Sequence, residues 1–448
     1  MAPNSARASG KPAKFLEGNL FRHVAVMSLT SSVGLMVLFL VDFVNVIFIS
    51  WLKDAELTAA VGYAGAVLFF TTSFGIGMSI AASALVARSV GQGDLVGART
   101  KATNAIIWGI IFGIIFVALV WFNLRFLVAL LGATGRTLDQ TVHYLSIVVP
   151  TLPLLMVGMI GGAILRAHGD ARRAMMATIY GGLANAVLDP IMIFGFGLDL
   201  TGAAIATVIA RFVIAGTALL PVIRHHGGFD RPALRSATAD LRPIAMIAFP
   251  AILTQLATPI GQAFVTRLVS GYGEAAVAGV AIIGRMTPVA FGVIFALSGA
   301  IGPIIGQNYG AGKLDRVREA FKQGLRFTAL FTVLVAIILF LLRSPIADLF
   351  HATGITRQII YLFCGPLALL FFFNGVIFVS NSAFNNLGHP FHSTWTNWGR
   401  HTIGTIPLAI LGGSLLGAQG VLVGQAVGGV LFGLVAWWLA LWVMPKAE

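Results

Sequence analysis

The sequence predicts an all-α integral membrane protein, with twelve transmembrane helices in two six-helix bundles related by pseudo-twofold symmetry. Three observations lead there. Of the 448 residues 58% are hydrophobic and only 10% charged, whereas soluble chains carry about a quarter charged residues. The few charges are spaced so that long apolar runs lie between them, and a membrane helix needs roughly 20 such residues. Finally, glycine-rich turns of the first half recur 219 residues later, Gly91 against Gly310 and Gly169 against Gly388.

The spans follow in order from the gaps between charges. Between Arg22 and Lys53 the only charge is Asp42. Residues 57–87 and 102–124 have none, 140–165 contains only His143, 174–198 only Asp189, and 200–223 only Arg211. The second half supplies 243–266, 275–305 (with Arg285), 327–342 and 358–387. After Arg400 no acid, Lys or Arg appears until Lys446, a stretch too long for one span, with a glycine-rich break at Gly412–Gly417. Barrel strands alternate over about ten residues and do not fit such runs. The first run, 24–52, exceeds the roughly 7–15 residues of a signal core and reads as a span that stays.

Most Lys and Arg fall in alternate connections, while Lys53, Arg125, Arg136, Arg267, Arg343 and Arg357 fall in the others. By the positive-inside rule both termini are expected on the cytoplasmic side of the inner membrane. The net charge of +13 is therefore topological, and nucleic acid is not an expected partner. A lone cysteine, Cys364, excludes an internal disulfide and any cysteine-based zinc site. His168, His225, His226, His389, His392 and His401 read as inner-loop residues, with no metal site expected.

The repeat divides the chain into a disordered cytoplasmic tail (1–18), a first bundle (19–224), a basic cytoplasmic connector (225–242) and a second bundle (243–448). Six helices per repeat give both halves the same topology. Parallel repeats of this kind are related by an axis along the membrane normal, with the substrate path at the repeat interface.

Among sixteen acids, only Asp42 and Asp189 lie deep in apolar runs. An intramembrane carboxylate costs at least about 2.5–3.5 kcal/mol on insertion scales and marks a functional site by default, against the alternative of a structural salt bridge. Helix direction places Asp42, Asp189, Thr207 and Tyr144 in one outer-leaflet layer at 1.5 Å per residue. Asn185 shares the helix face of Asp189. Pro190 cannot donate to the helix ladder and predicts a kink beside the carboxylate. Asn, Thr and Tyr bond to a carboxyl in either protonation state, so this group suits proton uptake on one side and release on the other. Sodium, held by one carboxylate and neutral oxygens, is the alternative. The second repeat has Gly261 opposite Asp42 and offers Gln255, Gln262, Asn374 and Asn381 but no deep acid. Arg211 and Arg285 read as structural or snorkelling. Phe371–Phe373 and the methionines read as packing, and Trp437, Trp438 and Trp442 as packing or interfacial anchors.

The segments Leu165-Arg166-Ala167-His168-Gly169-Asp170, Asn185-Ala186-Val187-Leu188-Asp189-Pro190 and Gly202-Ala203-Ala204-Ile205-Ala206-Thr207 resemble those of the multidrug and toxic compound extrusion (MATE) family, most closely its DinF-like branch. The resemblance implies two bundles facing a central cleft. It implies export of organic, often cationic or amphipathic compounds in exchange for protons or sodium. It also implies an ion site of Asp42, Tyr144, Asn185, Asp189 and Thr207 in the first bundle; acids that the NorM-type branch adds in the seventh and tenth helices are missing here. The expected protein is a proton-coupled antiporter, a monomer contacting lipid and small organic substrates, with no cofactor, metal or obligate protein partner. A sodium-coupled exporter and a lipid-linked oligosaccharide flippase are the transport alternatives. An integral-membrane enzyme is the rival of another class, disfavoured by loops of mostly Lys, Arg and Gly. No Walker-type loop is present.

Overall fold

The computed structural model describes residues 13–52 and 54–444, and among them there is no strand. In the first repeat α1 is Leu20–Ser50, α2 Ala55–Gly91 and α3 Leu95–Phe122. After a short helix, Leu124–Leu130, come α4 (Gly135–Ala167), α5 (Ala171–Gly195) and α6 (Asp199–His225). The second repeat begins with α7 (Leu234–Ser270), α8 (Glu274–Gly310) and α9 (Leu314–Leu349). Next is α10, Gly354–Leu387, bent by 42° near Phe371, and then a helical stretch over Pro390–Val443.

That last stretch has 54 residues, about 80 Å at 1.5 Å per residue, against a hydrocarbon core of about 30 Å. It folds back on itself. Gly417 takes φ 62° and ψ −145°, a conformation open to glycine. The backbone of Gly412 lies against Gly420, that of Leu408 against Gly424 and that of Gly404 against Gly428, a pairing only antiparallel helices make. The stretch is therefore α11 (390–416) and α12 (418–443). Ten helices pass as spans and bent α10 is an eleventh; division at Gly417 gives the twelve expected.

The turns repeat as the helices do. Asp54 caps α2 by accepting from the Glu56 and Leu57 amides at 2.9 and 3.3 Å, and Asp94 caps α3 from Gly97 at 2.8 Å, each satisfying an orphan helix donor. Left-handed residues recur at 219: Gly93 (φ 76°) with Gly312 (70°), and Gly169 (82°) with Gly388 (93°). Two further pairs escaped the glycine pattern, Gly132 (99°) with His351 (49°) and Gly135 (58°) with Gly354 (52°).

The chain forms two compact units, one containing Val33–Ile252 and the other Phe15–Ser32 with Leu253–Glu448. In the first, α2, α3, α4 and α6 enclose two apolar clusters, one around Ile160, Ile164 and Leu165 and one around Leu145, Val148 and Leu152. In the second, Phe291, Ile294 and Phe363 centre one cluster and Val265, Ile359 and Val421 another.

Three expectations need correction. The tail was expected to run to Gly18; residues 1–12 lie outside the described residues, as do Lys53 and Lys446, but Phe15 is fully buried. Its amide donates to Gln307 Oε1 at 3.0 Å, and Asn308 Nδ2 donates to its carbonyl at 3.1 Å. The connector 225–242 is not a loop throughout, since α7 starts at Leu234. Asp240, on that helical part, pairs with Lys101 and accepts from Asn104 at 2.7 Å, and Trp108 donates to the Ala237 carbonyl at 2.8 Å. His392 and His401 are not in a loop. Pro390, favoured at a first helical position, starts α11 one residue past the Gly388 turn, with His389 at the N-cap, so both lie inside it.

Candidate functional site

The site grows from the end of α5. Pro190 has no N–H and cannot continue the ladder, and the helix passes directly into a π-helical turn, Ile191–Gly195, closed by Phe196 N–H donating to the Ile191 carbonyl at 2.9 Å. Such turns are short and often mark functional sites. At Gly202 the backbone of α6 comes against it: a methyl there would lie 2.6 Å from the Met192 carbonyl carbon and 2.9 Å from the Ile193 nitrogen. Two turns before Asp189, Gly182 admits Val37 and Val41 of α1 (3.0 and 3.4 Å from a methyl's place). Two glycines thus bring α1 and α6 onto α5 on either side of its carboxylate.

Asp189 is 0% exposed. Its Oδ2 accepts from Asn185 Nδ2 at 2.6 Å across one helical turn. Its Oδ1 is buried and has no hydrogen-bond partner among the described residues, nor does any cation pair with the carboxyl there. The salt-bridge alternative therefore has no counterpart at Asp189. Asp42 is the one other charge acting on it. Asp42 itself is not covered by its own chain in α1, next to the Val41 that packs on Gly182.

Tyr144, Thr207 and Arg211 form the adjoining group, toward α4. The buried Tyr144 hydroxyl meets the Thr207 side chain, and Arg211, Asp189 and Asp42 are the charges that act on it. Thr207 donates its own hydroxyl to the Ala203 carbonyl at 2.9 Å. All five expected residues therefore belong to one region of the first unit, with Tyr144 the member that relates the two groups. Pro190 forms the junction to the π turn.

Arg211 does not snorkel. It is 5% exposed and Nη1 donates to the Val148 carbonyl at 2.6 Å and to Thr151 Oγ1 at 2.8 Å. These acceptors lie where α4 narrows into a 3₁₀ turn, Val149–Thr151, around Pro150. Pro150 also deprives the Ser146 carbonyl of its helical donor, and Trp121 Nε1 supplies one at 3.2 Å. The sequence reading overlooked Thr151; a hydroxyl one residue past an intrahelical proline was the available signal. Arg285 is exposed.

At the end of α4, outside the spans, Asp170 accepts from Arg173 N–H at 3.2 Å and from its guanidinium, and His226 Nε2 lies 3.2 Å away. Burial alone would raise the Asp170 carboxyl, but the His226 and Arg173 bonds hold it well below the usual carboxylate range. Burial lowers the His168 imidazole, 4.7 Å from the His226 ring, to about 4, the bond to the Ile164 carbonyl opposing it.

Two repeats of six membrane helices, with a buried carboxyl that no cation pairs with among the described residues, define a membrane transporter. The chain belongs to the MATE family, whose MatE model matches twice, over residues 31–191 and 250–411, once per repeat. It is 30% identical over 430 residues to the FAD transporter of Shewanella oneidensis, covering 92% of this chain and 93% of the relative. To the probable multidrug resistance protein NorM of Thermotoga maritima it is 26% identical over 350 residues, 75% of each chain. Its fold matches the crystal structure of a point mutant of the Vibrio cholerae MATE transporter VcmN with a TM-score of 0.89 at 25% identity, covering 94% and 96% of the two chains.

Proposed function

We propose that this protein is a secondary antiporter of the inner membrane, with both termini cytoplasmic, that exports organic compounds as protons enter through Asp42 and Asp189. The observation that carries the reading is Asp189: a fully buried carboxyl with one neutral donor, an unpartnered oxygen and no cation among the described residues. A buried charge left without a partner is costly, so such a group gains from taking up a cation. The surroundings favour a proton over sodium. Asn185 turns its amide nitrogen, a donor, to the carboxyl, whereas a sodium ion held between the two would need the amide oxygen there instead.

In the proposed cycle Asp42 and Asp189 take protons from the outer side. Loss of charge lets α5 rearrange at the Pro190–Gly195 junction and weakens the hold on substrate, and release inward restores the carboxylates. The protein works as a monomer in lipid. Purified protein in sealed vesicles, with pH and sodium gradients imposed separately, tests this; transport that follows sodium and ignores pH refutes the proton assignment.

A second reading of the substrate rests on the Shewanella oneidensis relative, matched along nearly the full length of both chains and named an FAD transporter. On that reading the exported compound is an anionic flavin dinucleotide rather than a cationic drug.

A further inference from the structure

The offset of 219 sets α7, α11 and α12 of the second unit opposite α1, α5 and α6 of the first. There the counterparts of Asp42, Tyr144, Asn185 and Asp189 are Gly261, Phe363, Gly404 and Leu408, none of them ionisable. Yet this junction is not apolar. It holds Arg400 and His401, side by side at the start of another π-helical turn, Arg400–Gly404.

The imidazole of His401 occupies the space a side chain at position 261 would need: a methyl on Gly261 would overlap the ring. Where the first unit has a carboxylate on α1 and Gly182 on α5, the second has Gly261 on α7 and, in Gly182's place, an imidazole on α11. His401 is 4% exposed and neither ring nitrogen has a hydrogen-bond partner among the described residues. Arg400 turns toward α12, its Nε 3.9 Å from where a Gly429 methyl would sit, and that buried Nε also lacks a partner. No carboxylate among the described residues acts on either group; the one charge acting on His401 is Arg400. At the same junction Gln425 of α12 donates to Gln262 of α7 at 3.3 Å, and both amides are exposed.

Snorkelling does not account for Arg400. It lies ten residues into α11, about 15 Å along a helix about 40 Å long, inside the apolar span rather than at its end. A half-buried guanidinium at that depth with no counter-ion needs an anion. Its planar fork matches phosphate and carboxylate oxygens two at a time.

We infer that the α7–α11–α12 junction binds the anionic end of the exported compound, a phosphate ester or diphosphate, through Arg400 and His401, with Gln262 and Gln425 as neutral partners. The two repeats then divide the work by charge. Carboxylates on α1 and α5 take the coupling cation, and the Arg400 guanidinium on α11, with the His401 imidazole as a hydrogen-bonding neighbour, takes the anionic substrate. This deepens the flavin-dinucleotide reading above and rests on it.

Binding to purified protein in detergent micelles tests it, followed by quenching of flavin fluorescence, with FAD and riboflavin as probes. They share the ring system and differ in the adenosine diphosphate portion. FAD is expected to bind at least about tenfold tighter than riboflavin. Arg400→Gln should bring FAD to the riboflavin level without changing riboflavin binding, and Arg400→Lys should keep part of the preference. Thermal unfolding of each variant checks that it is folded; should Arg400→Gln not fold, the intermediate preference of Arg400→Lys and its loss at high salt carry the test. Equal binding of FAD and riboflavin by the wild type, no binding of FAD, or a preference untouched by both variants would overturn the inference. No ion gradient is involved, so failure of proton coupling in vesicles would leave this result standing.

Discussion

The α1–α5–α6 junction of the first unit and the α7–α11–α12 junction of the second occupy the same places in their repeats and hold different ionisable groups. One has Asp42 and the buried Asp189, the other Arg400 and the buried His401. Both sit beside a π-helical turn, Ile191–Gly195 and Arg400–Gly404. Both use a glycine to admit the neighbouring helix, Gly182 against Val41 and Gly261 against His401. A duplicated scaffold thus keeps a glycine at each junction but moves it, from Gly182 on α5 to Gly261 on α7, while acidic side chains give way to basic ones. The backbone requirement is strict because a Cβ at these glycines meets its neighbour directly. The charge requirement belongs to whatever binds.

The largest expected effect separates the two junctions outright. Asp42→Asn should abolish export while the variant still inserts, since loss of an intramembrane charge makes insertion easier; vesicle transport at matched protein levels measures it. Normal transport would return the first junction to a structural role.

A second change probes the packing device in the second unit. Gly420→Ala puts a methyl onto the Gly412 carbonyl and should destabilise the α11–α12 hairpin by about 1–3 kcal/mol, as overpacking does. Thermal unfolding in detergent reads the loss; an unchanged midpoint would mean that the hairpin backbones are not so close.

Arg211 sharpens the comparison from the other direction, as a cation of the first unit that is already satisfied. Both of its bonds come from Nη1, and a lysine ammonium carries three donors. Arg211→Lys should keep most transport and cost about 1 kcal/mol or less, in line with hydrogen bonds inside membranes. A folded but inactive lysine variant would show that the guanidinium plane itself is needed.

The smallest effect lies outside the spans. His168 is held at about 4 against about 6.5 unfolded. Between those values the unfolded chain binds the extra proton, so stability present above pH 6.5 is lost as pH falls toward 4. Asp170, depressed by His226 and Arg173, adds a loss that begins below about pH 4, its unfolded range. Unfolding midpoints measured from pH 7 to 4 should fall, and His168→Asn should flatten the upper part of that fall. A slope unchanged by the substitution would assign it to other groups.

The helices and their duplication were legible because desolvation of charge is costly enough to space charged residues at span length, and because left-handed turns demand glycine at Gly93, Gly169, Gly312 and Gly388. The Asn185–Asp189 pair was legible from helical spacing alone. Arg400 and His401 were misplaced by the same logic that found the spans: a charge was taken to end a helix, although Pro390 had already begun one. Arg211's partners could not be read, because Val148 accepts through its backbone and Thr151 is distant in sequence. The packing of Phe15 by Gln307 and Asn308 joins residues almost 300 positions apart, which no local pattern encodes.

Asp189 carries the account, and one measurement addresses it directly: substrate flux into sealed vesicles in sodium-free buffer under an imposed pH gradient, for the wild type, Asp189→Asn and Asp189→Glu. The wild type should accumulate substrate on the acidic side. Asp189→Asn should not respond, because an amide cannot titrate, and Asp189→Glu should respond weakly, its carboxyl displaced by a methylene. Flux by the wild type that ignores the pH gradient but follows a sodium gradient, or full pH-driven flux by Asp189→Asn, would contradict the account.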